Sequence, residues 1–111
     1  MSLNDFTPAL PLLSAREVCQ LLREVTVGRL VMTRASDHSW DEIGSTLFPV
    51  NVEGWQLEIC RNGMSLDYCA QCRSPDGRGW RLGSGTRYGT DPLALLSTWE
   101  LATLERLLQA L

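Results

Sequence analysis

Hydrophobic and polar positions along this chain change period twice. Val18, Leu21, Leu22 and Val25 fall at helical spacing. From Thr46 the period becomes two, with Phe48, Val50 and Val52 alternating with Pro49 and Asn51. Near the C-terminus, Leu101, Leu104, Leu108 and Leu111 restore a helical stripe, flanked by Leu107.

The first helix has a readable start. In Ser14-Ala15-Arg16-Glu17 the serine hydroxyl can accept from the Glu17 N–H while the glutamate reaches back, a capping box. Gly28 is the expected stop. Residues 1–13 contain Pro8 and Pro11 without a clear period and read as an extended arm, leaving 14–111 as one domain. Residues 29–44 are ambiguous: "RLVMTR" fits a strand or a continued helix, and "ASDHSWDE" has the composition of a loop.

The period-two region folds into hairpins. A turn at Glu53-Gly54 sets Val52 opposite Trp55, Val50 opposite Leu57 and Phe48 opposite Ile59, all on one face. Pro49 then falls where its missing N–H faces away from that partner, which suggests that 46–52 is an edge strand. Asn62-Gly63 is a strong hairpin signal and sets Ile59 opposite Leu66 and Leu57 opposite Tyr68. Pro75-Asp76-Gly77, read as a three-residue loop with a left-handed glycine, sets Ala70 opposite Leu82 and Cys72 opposite Trp80. Asp91-Pro92 opens a short helix, and Ser97-Thr98-Trp99-Glu100 is a second capping box that restarts one. These elements predict a four-stranded antiparallel meander, with one helix before it and one or two after, packed on one face as an α+β domain.

Composition narrows the function classes. A 111-residue chain with a net charge of −3 is large enough for one core and lacks the basic excess of a dedicated DNA-binding protein. No apolar run is long enough to cross a bilayer, and "MSLNDFTPALPLL" has no basic residue ahead of its apolar stretch, so a cytoplasmic location with reduced cysteines is expected. All ten basic residues are arginine. Coding bias accounts for that; bidentate recognition of phosphate or carboxylate is the functional reading. Residues 35–60 hold five acids and no arginine, and residues 61–89 hold five arginines against two acids, an asymmetry that marks a binding face or pairs across adjacent strands.

Candidate chemistry is sparse. Cys69-x-x-Cys72 has the spacing of zinc knuckles and redox dithiols. In a continuous strand, however, Cys69 would face solvent and Cys72 the core, so the two could neither chelate nor pair. Cys60 would sit opposite Ser65, too far from Cys69 to share a zinc, and no cofactor is implied. "LGSGTRYGTDP" joins a strand to a helix but lacks both the dinucleotide spacing and a P-loop lysine. His38, beside Asp37, Asp41, Ser36 and Ser39, has triad-type residues without a scaffold. Trp40 either folds back into the core or anchors a contact. Arg81 and Arg87, with Arg73 or Arg78, could meet RNA, but Tyr68 and Trp80 would point into the core and offer no stacking platform. Leu107 widens the last stripe, and "STLFPVNV" offers a pairing edge; either could support a homodimer or receive a protein partner.

At "DYCAQCRSPDGRGW" and "RYGTDPLALLSTWELATLERLLQAL", and also at "AREVCQLLREV" and "GWQLEI", the chain resembles a family of small uncharacterised proteins common in pseudomonads. The resemblance implies a bacterial single-domain protein and lends no activity to any residue. The expectation from the residues is a non-enzymatic protein-interaction or regulatory module, with Trp40, Arg81, Arg87 and Leu107 as surface candidates. The alternatives are an Arg-rich RNA-binding module, or a thiol-redox or metal-binding protein using Cys69 and Cys72.

Overall fold

The computed structural model describes residues 12–40, 47–63, 65–82 and 91–111. Helix α1 (Ala15–Thr26) begins at the Ser14–Glu17 capping box, with both reciprocal hydrogen bonds present. It stops where Gly28 adopts φ +79°, the left-handed conformation that ends many helices. Strands β1 (Met32–Arg34), β2 (Leu47–Val52), β3 (Trp55–Asn62), β4 (Ser65–Arg73) and β5 (Gly79–Arg81) form one antiparallel sheet in chain order. A short 3-10 helix, Pro92–Leu95, is capped by Asp91 and followed by α2 (Thr98–Gln109), which starts at the Ser97–Glu100 capping box.

The sheet has five strands rather than four, because "MTR" forms β1 and pairs with β2 in the register Met32–Val52 and Arg34–Val50. This corrects the expectation of an edge strand at 46–52: β2 lies between β1 and β3. Pro49 acts on the new ladder instead. The Ala35 N–H donates to the Pro49 carbonyl at 3.1 Å, but Pro49 has no N–H to return, and β1 ends at Arg34.

The β2–β3 hairpin has the expected register, Phe48–Ile59, Val50–Leu57 and Val52–Trp55. Its turn residues Glu53 and Gly54 both have positive φ, +45° and +96°. Gly54 is required twice over, since a Cβ there would also lie 3.2 Å from the Pro75 ring. Glu53, strained in the left-handed region, compensates by accepting the Val31 N–H at 2.8 Å, which ties the approach to β1 onto this turn. The β4–β5 hairpin also matches, with Cys72 opposite Trp80 and Gly77 at φ +92°.

The β3–β4 hairpin departs from the expected alternation. Its first pair is Asn62–Ser65, and two register shifts follow, so that Cys60 opposes Tyr68, Ile59 opposes Cys69 and Leu57 opposes Cys72. Asp67 and Ala70 are the extra residues of two bulges. Opposite Arg61, Ile59 and Leu57 on β3 stand Leu66, Cys69 and Cys72 on β4. Core-facing positions on β4 therefore recur every third residue. Cys69, expected at the surface, is fully buried, and Tyr68, expected in the core, lies on the opposite face.

One face of the sheet carries the core. Phe48, Val50, Val52, Leu57, Ile59, Cys69 and Cys72 pack with Val18, Leu22 and Val25 of α1, Leu93 before α2, and Leu104 and Leu108 of α2. Both capping glutamates also hold an arginine from another element. The Glu17 Oε2 accepts from Arg78 Nη1 at 3.0 Å, and the Glu100 Oε2 accepts from Arg23 Nε at 2.8 Å.

Candidate interaction surface

Among the described residues, no helix packs on the second face of the sheet. Its residues form two rows across the strands. One row runs Ala35, Pro49, Glu58, Gln71, Arg81; the other runs Thr33, Asn51, Gln56, Arg73, Gly79. A groove of about 880 Å³ lies over these rows, within the range of ligand-binding clefts. Its floor is amide, carboxylate and guanidinium. Its rims are apolar: Ala35 and Pro49 on the β1 side, Leu12 on the β5 side.

The rim at Leu12 follows from one backbone bond. The Leu13 N–H donates to the Gly79 carbonyl at 3.0 Å, which lays the chain along the outer edge of β5. Leu13 enters the core, and Leu12 projects the other way, 81% exposed.

Two arginines dominate the floor. Arg81 is steadied by its cross-strand neighbour, donating from Nη2 to Gln71 Oε1 at 3.3 Å. The Arg73 side chain has no hydrogen bond or ion pair among the described residues and stands opposite Gly79, which offers no side chain to cover it. A Cβ built on Gly79 would meet only the Cys72 carbonyl, at 3.9 Å, so the space beside Arg73 is open. A smaller lobe of about 290 Å³ continues the groove over Tyr68, Ala70 and Leu82, sharing Glu58, Gln71 and Arg81 with it. The bulges put Tyr68 there, where its contact with the Cys60 thiol raises the phenol above its ordinary range.

The other candidates fall elsewhere. Trp40 is fully buried, edge-on to Phe48 with ring centroids 5.2 Å apart, so it packs into the core rather than standing on the surface. The Arg61 guanidinium sits 5.8 Å from its ring centre. Leu107 is half-buried and packs on the core of its own chain. With β2 internal, the pairing edge expected at 46–52 is taken up within the sheet. Arg87 and the rest of residues 83–90 lie outside the described residues. Arg78 is taken by Glu17 and Asp76.

Cys69 and Cys72 now share the core face, yet the environment favours neutral thiols. All four cysteines are free and buried. Burial, then the neighbouring Cys72 and Asp91, push the Cys69 thiol well above the usual range, and burial pushes Cys72 up to about 12. A thiol held neutral is a poor nucleophile and a poor metal ligand. Among the described residues, no three His, Cys, Asp or Glu side chains are placed to hold a metal ion. His38 is exposed in a turn closed on itself, its N–H donating to Ser36 Oγ and its carbonyl accepting from the same hydroxyl.

Sequence reasoning found Arg81 and raised Arg73. It missed Gln56, Glu58 and Gln71, whose signal was present as the polar alternate of each strand but had no ligand-type motif to mark it. Among the described residues, no helix is long and apolar enough to cross a membrane.

Comparison with known families gives one match. The model of a domain of unknown function, DUF7693, matches residues 12–110. The chain belongs to that family. The matched span takes in every helix and strand described above, so α1, the sheet and α2 together are the family's domain. No curated protein and no solved structure matches the chain.

Proposed function

We propose that this domain is a non-enzymatic protein-interaction module and that the uncovered sheet face is its recognition surface. One observation carries the reading: the groove floor is lined by polar side chains that the fold does not use. The core lies on the opposite face, the helix caps hold their own partners, and the Arg73 side chain has none among the described residues. Open sheet faces flanked by apolar rims suit an extended ligand better than a chemical step, which needs a nucleophile beside a base.

A second reading has support from one residue. Tyr68 on the open face, near Arg81, restores part of an RNA-binding platform. Sheet-based RNA recognition usually stacks two or three bases. Among the described residues Tyr68 is the one aromatic on this face, and Glu58 opposes phosphate.

A photo-cross-linking residue at Gln71 tests the first reading against one at Arg106 on α2. Gln71 should trap one reproducible protein in the native host, Arg106 should not, and the purified pair should form a complex that Gly79→Leu abolishes. Equal trapping from both positions, or none from Gln71, would refute it.

A further inference from the structure

The groove floor specifies the chemistry of what it holds. We infer that the open face binds an extended peptide segment carrying two acidic residues at positions i and i+2, one carboxylate on Arg73 and one on Arg81. This rests on the open face being the recognition surface.

The argument is geometric. Gln71 pairs with Arg81, and Arg73 pairs with Gly79, so Arg73 and Arg81 are diagonal neighbours on one face. Diagonal neighbours on adjacent antiparallel strands are about 7–8 Å apart. Side chains at i and i+2 of an extended peptide repeat at about 6.6–6.8 Å. The two spacings agree, and guanidinium groups grip carboxylates with paired hydrogen bonds. Neither arginine has a carboxylate partner among the described residues, so binding need not break an existing ion pair. Gly79 leaves room beside Arg73, and Leu12 and Pro49 supply apolar rims for the side chains that flank the acids.

Glu58 sets the length of the motif. It opposes Gln71 on the side away from Arg81, half-buried in the groove floor. A third acid reaching across the groove would meet its charge. Glu58 and the overall charge of −3 also weigh against a polyanion such as RNA, whose phosphates repeat without limit.

The test uses the full chain, labelled with nitrogen-15, and the peptide acetyl-Ala-Leu-Glu-Leu-Glu-Leu-Ala-amide. Its controls replace both glutamates by glutamine or by lysine, and a short oligouridylate serves as the nucleic-acid arm. The acidic peptide should shift the amides of Gln56, Gln71, Arg73 and Arg81 and bind more weakly as salt rises. Arg73→Gln and Arg81→Gln should each weaken it about tenfold, the loss of one charge-assisted contact. Gly79→Leu should block it, and Glu58→Gln should strengthen it. Glutamine or lysine peptides that move the same amides equally well would keep the open face as a binding surface and overturn the acidic preference. Shifts centred on Trp99 and Leu95, on the helical side, would overturn both. Oligouridylate binding this face more tightly than the acidic peptide would replace the inference with the nucleic-acid reading. A wild-type chain that ignores the acidic peptide would refute it outright.

Discussion

At the scale of single residues, the buried thiols give the sharpest expectation. Cys72 has its thiol pushed from an ordinary 9.0 up to about 12 by burial. The fold favours the neutral form, so this contribution to stability is intact below the ordinary thiol range and is lost as pH rises toward 12. At about 1.36 kcal/mol per pH unit for each proton, Cys72 alone should remove about 2 kcal/mol between pH 8 and 10.5. Urea unfolding at stepped pH measures the slope. Cys72→Ala should lower stability at pH 7 yet give a shallower alkaline decline; an unchanged slope would rule out the linkage. Cys69, also raised, adds to the wild-type decline. None of this was legible in "CAQC", because strand parity put Cys69 in solvent, and parity holds only while the ladder is unbroken. Other single residues were legible because their demand is local. Gly77 has to be left-handed in a three-residue loop, and it is, at φ +92°. Ser14 and Ser97 need only their own next turn to cap a helix.

At the scale of elements, the contrast lies between what an element does alone and what it does with its neighbour. The capping boxes could be read from four residues; that each capping glutamate also binds an arginine on another element could not, since Arg23 and Glu100 are 77 positions apart. Ser97→Ala should cost about 1 kcal/mol, the usual value for a lost N-cap, measured by urea unfolding at neutral pH. The Glu100 carboxyl is held below its ordinary range, first by the Ser97 N–H and then by Arg23, so its share of stability is present above pH about 4.5 and fades below it. The bulges of β4 make a stronger claim. Because Ala70 is an extra residue, its deletion leaves Cys69 opposite Ile59 and Cys72 opposite Leu57, with every core residue still inward. It forfeits the Leu82 N–H bond to the Ala70 carbonyl, 3.0 Å long. Deleting Glu58 from β3 instead turns either Leu57 or Ile59 outward. The first deletion should fold with a modest drop in melting temperature, and the second should not yield a cooperative transition. Equal damage from both would show that Ala70 is no spacer. In hindsight the sequence carried the clue: Leu66, Cys69 and Cys72 recur at three, a period that fits neither helix nor regular strand, and a search limited to those two periods passes over it.

At the scale of the whole molecule, the two faces of the sheet answer to different demands, and stability can separate them. The core face is fixed by packing. Trp40 is sealed against Phe48 under the Arg61 guanidinium, and Trp40→Ala should cost about 3–5 kcal/mol, the range for a large aromatic removed from a core. In a domain whose total stability is about 5–15 kcal/mol, that is a large fraction. Among the described residues, the fold makes little use of the open face's side chains. The side chains of Gln56 and Arg73 make no hydrogen bond or ion pair among the described residues, and that of Arg81 makes one, to Gln71 at 3.3 Å. Substitutions on exposed sheet positions away from caps and cores usually stay within about 0.5 kcal/mol each. The triple variant Gln56→Ala, Arg73→Ala, Arg81→Ala should therefore unfold within about 1.5 kcal/mol of wild type, with the same denaturant slope, while Trp40→Ala at a single position loses more. Side chains that fold and stability do not require are free to serve a ligand. If the triple variant collapses instead, those side chains belong to the architecture, and the face loses its claim to be a recognition surface.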